Sequence, residues 1–267
     1  MPEASPDGTN RSTVGDLISA FLEANGATTA FGVISIHNMP ILDAFARRGV
    51  MRFVPARGEA GALNMADAFA RISGRLGVGV TSTGVAAGNA AGSLVEALTA
   101  GTPLIHLTGQ IDSAYLDQGK SFIHEVPNQP DMLRAVSKAF YRIAAPEEAL
   151  GILVEATRAA LTPPHGPVSI ETPVDIQAAP VDLPAELPIV IVDPIVPDPA
   201  ALDRVADLLA AAPRPLLWLG GGARGAREEA LALAEMGVGI VSSVHGRGIV
   251  PDDHPMSLGS FNSQPPV

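Results

Sequence analysis

Residues 57–110 read RGEAGALNMADAFARISGRLGVGVTSTGVAAGNAAGSLVEALTAGTPLIHLTGQ, and this stretch decides the fold. Apolar residues recur at helical spacing in two of its segments, and a short apolar run typical of a buried strand follows each one. The predicted elements are a helix over Glu59–Ser73, a strand over Gly77–Thr83, a helix over Asn89–Ala100 and a strand over Pro103–Thr108. Helices and strands that alternate with short connections indicate a parallel sheet covered by helices.

The same alternation continues on both sides of this stretch. Helices are predicted over Thr13–Gly26, from the capping residue Asn38 through Arg47 or Arg48, and over Glu147–Leu161, and strands over Thr29–Val33, Arg52–Pro55 and Val168–Glu171. We therefore expect an α/β fold, a doubly wound parallel sheet with helices on both faces. Right-handed crossovers then place the functional loops at the carboxyl ends of the strands.

Composition divides the rest of the chain. Residues 1–11 are polar and are expected to form a disordered tail, and residues 12–172 form the first domain. Residues 173–199 contain seven prolines in 27 residues, which predicts a stiff, extended linker. Residues 200–267 restart the alternation with only two clear strands, so we expect an incomplete second α/β domain.

Charge, apolar run length and cysteine content exclude several classes of partner and site. The net charge is −11, and only 17 Lys and Arg residues are spread over the 267 residues, so we expect no nucleic-acid partner. The apolar runs are too short for a membrane span. Without cysteine there is no disulfide or thiolate metal site, which is consistent with a cytoplasmic location. No metal site is predicted within this chain.

Several segments resemble one enzyme family. They are FGV at 31–33, Glu59 before MADAFARISG at 65–74, the turn that ends in Asn89, PLIHLTGQ at 103–110 and HGPVSIETPVDIQ at 165–177. Together they resemble the pyrimidine-binding domain of thiamine-diphosphate enzymes, most closely acetolactate synthases and related 2-oxo acid decarboxylases. HGRGIVPDDHPMSLG, at 245–259, resembles the central domain of that family.

The resemblance implies a cofactor, thiamine diphosphate, and a role for one carboxyl group. Glu59 would be the catalytic group that hydrogen-bonds the pyrimidine nitrogen and favours the imino tautomer that activates the cofactor. Gly84 and Asn89 would also bind the cofactor. A simpler reading of Glu59 remains open, because a carboxylate in the first turn of a helix is favourable through the helix dipole alone.

Two loops carry further candidates. The resemblance places ISIHNMP, residues 34–40, where relatives have a Pro-Gly-Gly turn, so Ser35 and His37 are weaker candidates for substrate contact. SFIHEVPNQ, residues 121–129, corresponds to a family stretch near the reactive carbon. His124 there is a candidate proton shuttle or substrate-carboxylate ligand, with Glu125 beside it, or else an ordinary loop histidine. Relatives also often have His where this chain has Gly58.

The family holds the diphosphate through Mg2+ on a domain that carries a Gly-Asp-Gly run, and this sequence has no such run. We therefore expect the metal and diphosphate to be held by a domain outside this chain, and the chain alone to be inactive towards a 2-oxo acid. The expected partner is a second copy of the chain, in a homo-oligomer, or a separate chain that carries the diphosphate domain. Two alternatives remain. The glycine pattern at Gly220, Gly222 and Gly225 could bind the pyrophosphate of a dinucleotide such as FAD, as in a nucleotide- or flavin-binding oxidoreductase. The same glycines could instead form only a tight turn between a strand and a helix. The chain could also be a non-catalytic interaction module.

Overall fold

The computed structural model describes residues 12–261, so the predicted disordered tail, residues 1–11, lies outside the described part. The α-helices are α1 (Val14–Ala24), α2 (Met39–Arg48), α3 (Glu59–Ser73), α4 (Val85–Ala100), α5 (Gln129–Val136), α6 (Ala149–Leu161), α7 (Val174–Ala178), α8 (Pro199–Ala211) and α9 (Arg227–Glu235). The strands are β1 (Thr29–Gly32), β2 (Arg52–Pro55), β3 (Gly77–Thr81), β4 (Leu104–Gln110), β5 (Ala139–Arg142), β6 (Pro167–Pro173), β7 (Leu216–Leu219), β8 (Gly239–Ser242) and β9 (Ser257–Ser260).

The first sheet has six parallel strands in the order β2-β1-β3-β4-β6-β5. Strands β3, β4 and β6 are buried along their whole length, as expected for the middle of a sheet with both faces covered. The predicted doubly wound α/β fold is confirmed. The chain leaves β1 towards β2 and returns to β3 on the other side, so the loops after β1 and β3 diverge and open a crevice.

Helices cover both faces of this sheet. One apolar cluster packs α1, α2 and α6 through residues such as Phe21, Phe45 and Leu153. The other packs α3, α4 and α5 through residues such as Leu63 and Leu94. Alanine is frequent in α3 and α4, and its small side chain lets these two helices lie close together.

One helix cap and one helix start differ from the prediction. Asn38 precedes α2 as predicted, but its side chain accepts from the amide of Ser35 (2.9 Å) and donates to the carbonyl of Val33 (2.9 Å) instead of capping the helix. Helix α4 begins at Val85, four residues before the predicted start at Asn89. The small residues after Gly84 allow the helix to start directly from the turn.

Helix α5 and strands β5 and β9 were not predicted. Strand β5, Ala139–Arg142, is half-buried at the edge of the sheet and includes a charged residue, so it lacks the apolar run that identified the central strands. Helix α5, Gln129–Val136, is only eight residues long, which is too short for a clear periodic pattern. Strand β9 is mostly exposed.

The Pro-rich stretch, residues 173–199, packs against the first domain for much of its length. It begins with α7, and Val190 is buried in the core that α1 forms. The side chain of Asn25 donates to the carbonyl of Pro188 (3.1 Å) and accepts from the amide of Val190 (2.8 Å). The chain divides into two compact units between Asp193 and Pro194, because these contacts hold the stretch until that point.

The second unit contains a three-stranded parallel sheet in the order β7-β8-β9. Its core is small and includes Leu219, Ala230, Ala234 and Ile240. Gly220, Gly222 and Gly225 lie between β7 and α9, where Gly221–Ala226 form 3-10 turns. Within residues 12–261, no helix is both long enough and apolar enough to span a bilayer.

Candidate functional site

Glu59 is the first residue of α3 and is half-buried. Asn89, in the second turn of α4, donates a hydrogen bond from Nδ2 to Oε2 of Glu59 (3.1 Å). The two helices are also joined by the hydroxyl of Ser93, which donates to the carbonyl of Ala60 (2.9 Å). The fold therefore brings together two candidates that lie 30 residues apart, and the amino end of α3 stabilises the carboxylate through the helix dipole.

Gly84 forms the turn between β3 and α4, with a φ of +57°. A Cβ atom there would lie 1.6 Å from the carbonyl oxygen of His124, so only glycine lets the two backbones approach so closely. The amide of Gly84 donates to the side-chain oxygen of Gln129. In this structure Gly84 therefore positions the 121–129 loop, and its amide is engaged by the protein. Its predicted role in cofactor binding stays a prediction.

Ser35 and His37 lie together at the crevice after β1. The hydroxyls of Ser35 and Ser82 are 2.7 Å apart, and Ser82 Oγ is 3.2 Å from Nδ1 of His37. His37 is only 5% exposed, and its carbonyl accepts a hydrogen bond from Nε2 of Gln177 (2.7 Å). Burial, with a smaller contribution from the nearby imidazole of His124, lowers the pKa of His37. His37 is therefore held neutral and fixed in orientation.

His124 is exposed on the 121–129 loop, and its ring meets that of His37 edge-on with 6.2 Å between centroids. Glu125 accepts a hydrogen bond from the amide of Phe122 (2.9 Å), so its carboxylate closes a local turn. The structure thus brings His124 next to His37, whereas the carboxylate of Glu125 is bound within its own loop.

A buried polar network was missed by sequence reasoning. Glu171, in β6, is fully buried and accepts hydrogen bonds from Gln129 (2.6 Å), Gln110 (3.2 Å) and Nε of Arg142 (2.5 Å). Thr83 joins it by donating to Gln110 (2.6 Å). A glutamate inside an apolar strand, as in VSIETP, is the signal that could have revealed this network, because a buried carboxylate needs partners. The network connects the end of β6 with the turn at Gly84.

Two of the cavities that the described residues form open at this edge of the sheet. The larger, about 770 Å³, has charged and polar lining from Asp117, Glu125, Asn128, Arg134 and Arg142, among others. The smaller, about 360 Å³, is lined by Ile36, His37, Ile111, Asp112, Tyr115, Phe122, Ile123 and Val174. We call the second one the His37 cavity.

His106 is a core residue whose ring nitrogens both have hydrogen-bond partners. It is fully buried in β4, and its ring nitrogens lie 2.8 Å from the hydroxyl of Thr81 and 2.9 Å from that of Ser169. Burial lowers the pKa of His106 to about 3. Over residues 12–261, no group of three His, Asp or Glu side chains is arranged to hold a metal ion.

Comparison with known proteins gives two family matches. The model described as thiamine pyrophosphate enzyme, N-terminal TPP binding domain, matches residues 12–132. The model of the thiamine pyrophosphate enzyme central domain matches residues 202–265. The first match contains Glu59, Gly84, Asn89 and His124, and the second lies within the second unit.

Individual proteins are similar over nearly the whole chain. Identity is 34% to a Pseudomonas aeruginosa protein named "Probable 2-ketoarginine decarboxylase AruI", over 93% of this chain and 44% of that protein. Identity is 32% to a Methanocaldococcus jannaschii protein named "Probable acetolactate synthase large subunit", over 89% of this chain and 41% of that protein. A solved structure from Mycobacterium smegmatis, described as a thiamin diphosphate-dependent enzyme, superposes with a TM-score of 0.83 at 30% identity, over 94% of this chain and 48% of that one. The chain spans less than half the length of these relatives.

Proposed function

This chain belongs to the thiamine pyrophosphate enzyme family, and we propose that it forms the pyrimidine-binding side of a 2-oxo acid decarboxylase or carboligase of the acetolactate synthase type. The observation that carries the proposal is the contact between Glu59 and Asn89 at the amino end of α3. Relatives named for acetolactate synthesis and for 2-ketoarginine decarboxylation support the reaction class.

The residues around Glu59 fit the pyrimidine end of thiamine diphosphate. Asn89 holds Oε2, and among the described residues no protein group donates to Oε1, which leaves that oxygen for the ring nitrogen. The side chain is half-buried, so a hydrogen bond made there is stronger than one in bulk water. When bound, the cofactor would supply a carbon nucleophile and a thiazolium ring that can act as an electron sink.

The chain's own residues have separate tasks in this proposal. Glu59 holds a proton at the pyrimidine nitrogen, and Asn89 keeps its carboxyl group oriented. His37 is kept neutral by burial, so it can accept or donate a hydrogen bond to a substrate oxygen, and Ser82 fixes the ring through Nδ1. His124, exposed beside His37, can carry a proton to or from solvent.

We propose that the diphosphate and its Mg2+ are held by a domain outside this chain, and that the chain associates with itself or with a separate chain that carries this domain. The net charge of −11 supports this, since it disfavours binding of a diphosphate whose charge is not neutralised by a metal. In that assembly the protein acts in the cytoplasm.

A flavin near the Gly220–Gly225 turn is the second cofactor that the glycine pattern would allow, and a flavin absorption spectrum of the purified protein would reveal it.

The test is substitution of the proposed catalytic carboxyl group in the active assembly. Glu59→Gln should lower turnover by about 100-fold or more, the usual loss for a general acid–base group. Glu96→Gln changes an exposed glutamate on α4 and is the matched control. NMR should show slower exchange of the cofactor's thiazolium proton in Glu59→Gln, and an unchanged exchange rate would refute the role of Glu59. Tight cofactor binding by the chain alone would refute the need for another domain.

A further inference from the structure

The His37 cavity is formed by the loops at the carboxyl ends of three strands. Ile36 and His37 follow β1, Ile111 and Tyr115 follow β4, and Val174 follows β6. Ligands of open parallel sheets bind outside the carboxyl ends of the strands, where such loops diverge. Its volume of about 360 Å³ is near the small end of the roughly 300–1,000 Å³ found for ligand sites.

The lining of this cavity is almost entirely apolar. Phe122 and Ile123 come from the 121–129 loop and remain 37% and 64% exposed, and Ile36 is 58% exposed. Large apolar side chains that cluster around a concave, exposed surface mark a binding site. The ring of Phe122 is also held in place by Tyr115, with 4.5 Å between their centroids. The wall of the cavity is therefore built by side chains that support one another.

The polar groups of the cavity do not favour a cationic ligand. His37 is neutral because burial lowers its pKa, and Nδ1 faces Ser82. Asp112 is the carboxylate at the rim, and its Oδ1 already accepts a hydrogen bond from the amide of Ala114 (3.0 Å), which caps the 3-10 turn Ser113–Tyr115. A cation in this cavity would lose its hydrating water to apolar walls. The carboxylate of Asp112, which is already hydrogen-bonded, would be the charged group of the lining that could compensate.

We infer that the His37 cavity receives the uncharged, branched apolar side chain of a 2-oxo acid, and that Ile36, Phe122 and Ile123 determine this specificity. The inference rests on the proposed function, which supplies the 2-oxo acid as the reacting class. His37, which is buried in the lining of the cavity, would meet the polar end of such a molecule, while the apolar residues enclose the side chain.

The experiment is NMR titration of the full chain with isoleucine methyl groups labelled. The probes are 4-methyl-2-oxopentanoate, pyruvate and the cationic 5-guanidino-2-oxopentanoate. The methyl signals of Ile36, Ile111 and Ile123 should shift with the first probe. Pyruvate lacks the branched side chain and should bind about ten-fold more weakly or worse, the discrimination that missing methylene groups give in an apolar pocket. The cationic probe should bind at least as weakly as pyruvate.

Two variants separate specific binding from general stickiness. Ile123→Asp should weaken binding of 4-methyl-2-oxopentanoate about ten-fold, equivalent to about 1.4 kcal/mol. Because Ile123 is mostly exposed, the change should not disturb folding, which the unshifted core methyl signals will report. Ile72→Asp places the same change on α3 at a residue that is 89% exposed and outside the cavity, and it should leave binding unchanged.

The inference is overturned if the three methyl signals do not shift at the solubility limit of the probe, if the cationic probe binds most tightly, or if Ile72→Asp weakens binding as much as Ile123→Asp. These signals need no cofactor and no turnover. A failed Glu59→Gln test would therefore leave this readout intact, and a failed titration would leave the role of Glu59 untouched.

Discussion

Replacing Gly84 by alanine should destabilise the first unit through contact with the backbone of His124. The φ of +57° and ψ of −107° at this turn lie outside the left-handed helical region, and a non-glycine residue held there costs about 1–3 kcal/mol. The new Cβ would also lie 1.6 Å from the carbonyl oxygen of His124, and forcing an atom into a packed interior costs a further ~1–3 kcal/mol. Together the free energy of unfolding should fall by about 2–6 kcal/mol.

Gly74→Ala is the matched control for this prediction. Gly74 ends α3 with a φ of +68°, and no atom lies within 4 Å of the position a Cβ would take. Its variant should therefore lose only the conformational part, about 1–2 kcal/mol. The difference between the two variants measures the contact between Gly84 and His124 together with the less favourable backbone conformation of Gly84.

The unfolding assay can follow each unit separately. Both tyrosines, Tyr115 and Tyr141, lie in the first unit, and the single tryptophan, Trp218, lies in the second. Near-ultraviolet signals of tyrosine during guanidinium unfolding should shift to lower denaturant in Gly84→Ala, while tryptophan fluorescence should not shift. Equal losses in Gly84→Ala and Gly74→Ala would refute the reasoning, since the contact with His124 would then carry no cost.

Two further predictions concern buried ionisable groups. Glu171→Ala leaves Arg142 without its buried partner and should lower the free energy of unfolding by about 3–5 kcal/mol, measured by the tyrosine signal. Asp131→Ala, which breaks an exposed pair, should cost less than about 1 kcal/mol, and similar losses in the two variants would contradict the burial argument. Because burial lowers the pKa of His106 from 6.5 to about 3, the unfolded chain binds a proton there that the folded chain excludes. Stability from the neutral ring is present above pH 6.5 and is lost as the pH falls towards 3, so His106→Gln should reduce the pH slope of the unfolding free energy by up to about 1.4 kcal/mol per pH unit, and an identical slope would contradict it.

Much of the first domain follows from local patterns in the sequence. The alternation of apolar runs and helical periods predicted the parallel sheet because each element must bury its own apolar face, whatever the rest of the chain does. Helix α3 begins at Glu59 and ends at Ser73, as predicted, since Gly74 adopts the left-handed conformation that ends a helix. Strand β5 was not predicted because a half-buried edge strand lacks the continuous apolar run that identifies a buried strand.

The candidate site depends both on the sequence and on the tertiary packing. The spacing of Glu59 and Asn89 was visible in the sequence, but only the packing of α3 against α4 placed Nδ2 of Asn89 at 3.1 Å from the carboxylate. Ser82 was not a candidate, because a serine at the end of a strand carries no signal of its own. It became one when the crevice between β1 and β3 brought it to His37.

The sequence by itself determined the α/β alternation, the family resemblance and the residue types available for chemistry, because these depend on neighbours within a few turns of the chain. Tertiary structure alone decided that His37 is buried and neutral and that the backbones of Gly84 and His124 lie in close contact. It also decided that the carboxylate of Glu171 accepts hydrogen bonds from Gln110, Gln129 and Arg142. These properties depend on burial and on contacts between residues far apart in the chain. Only the order of strands in the sheet determines which of those residues meet.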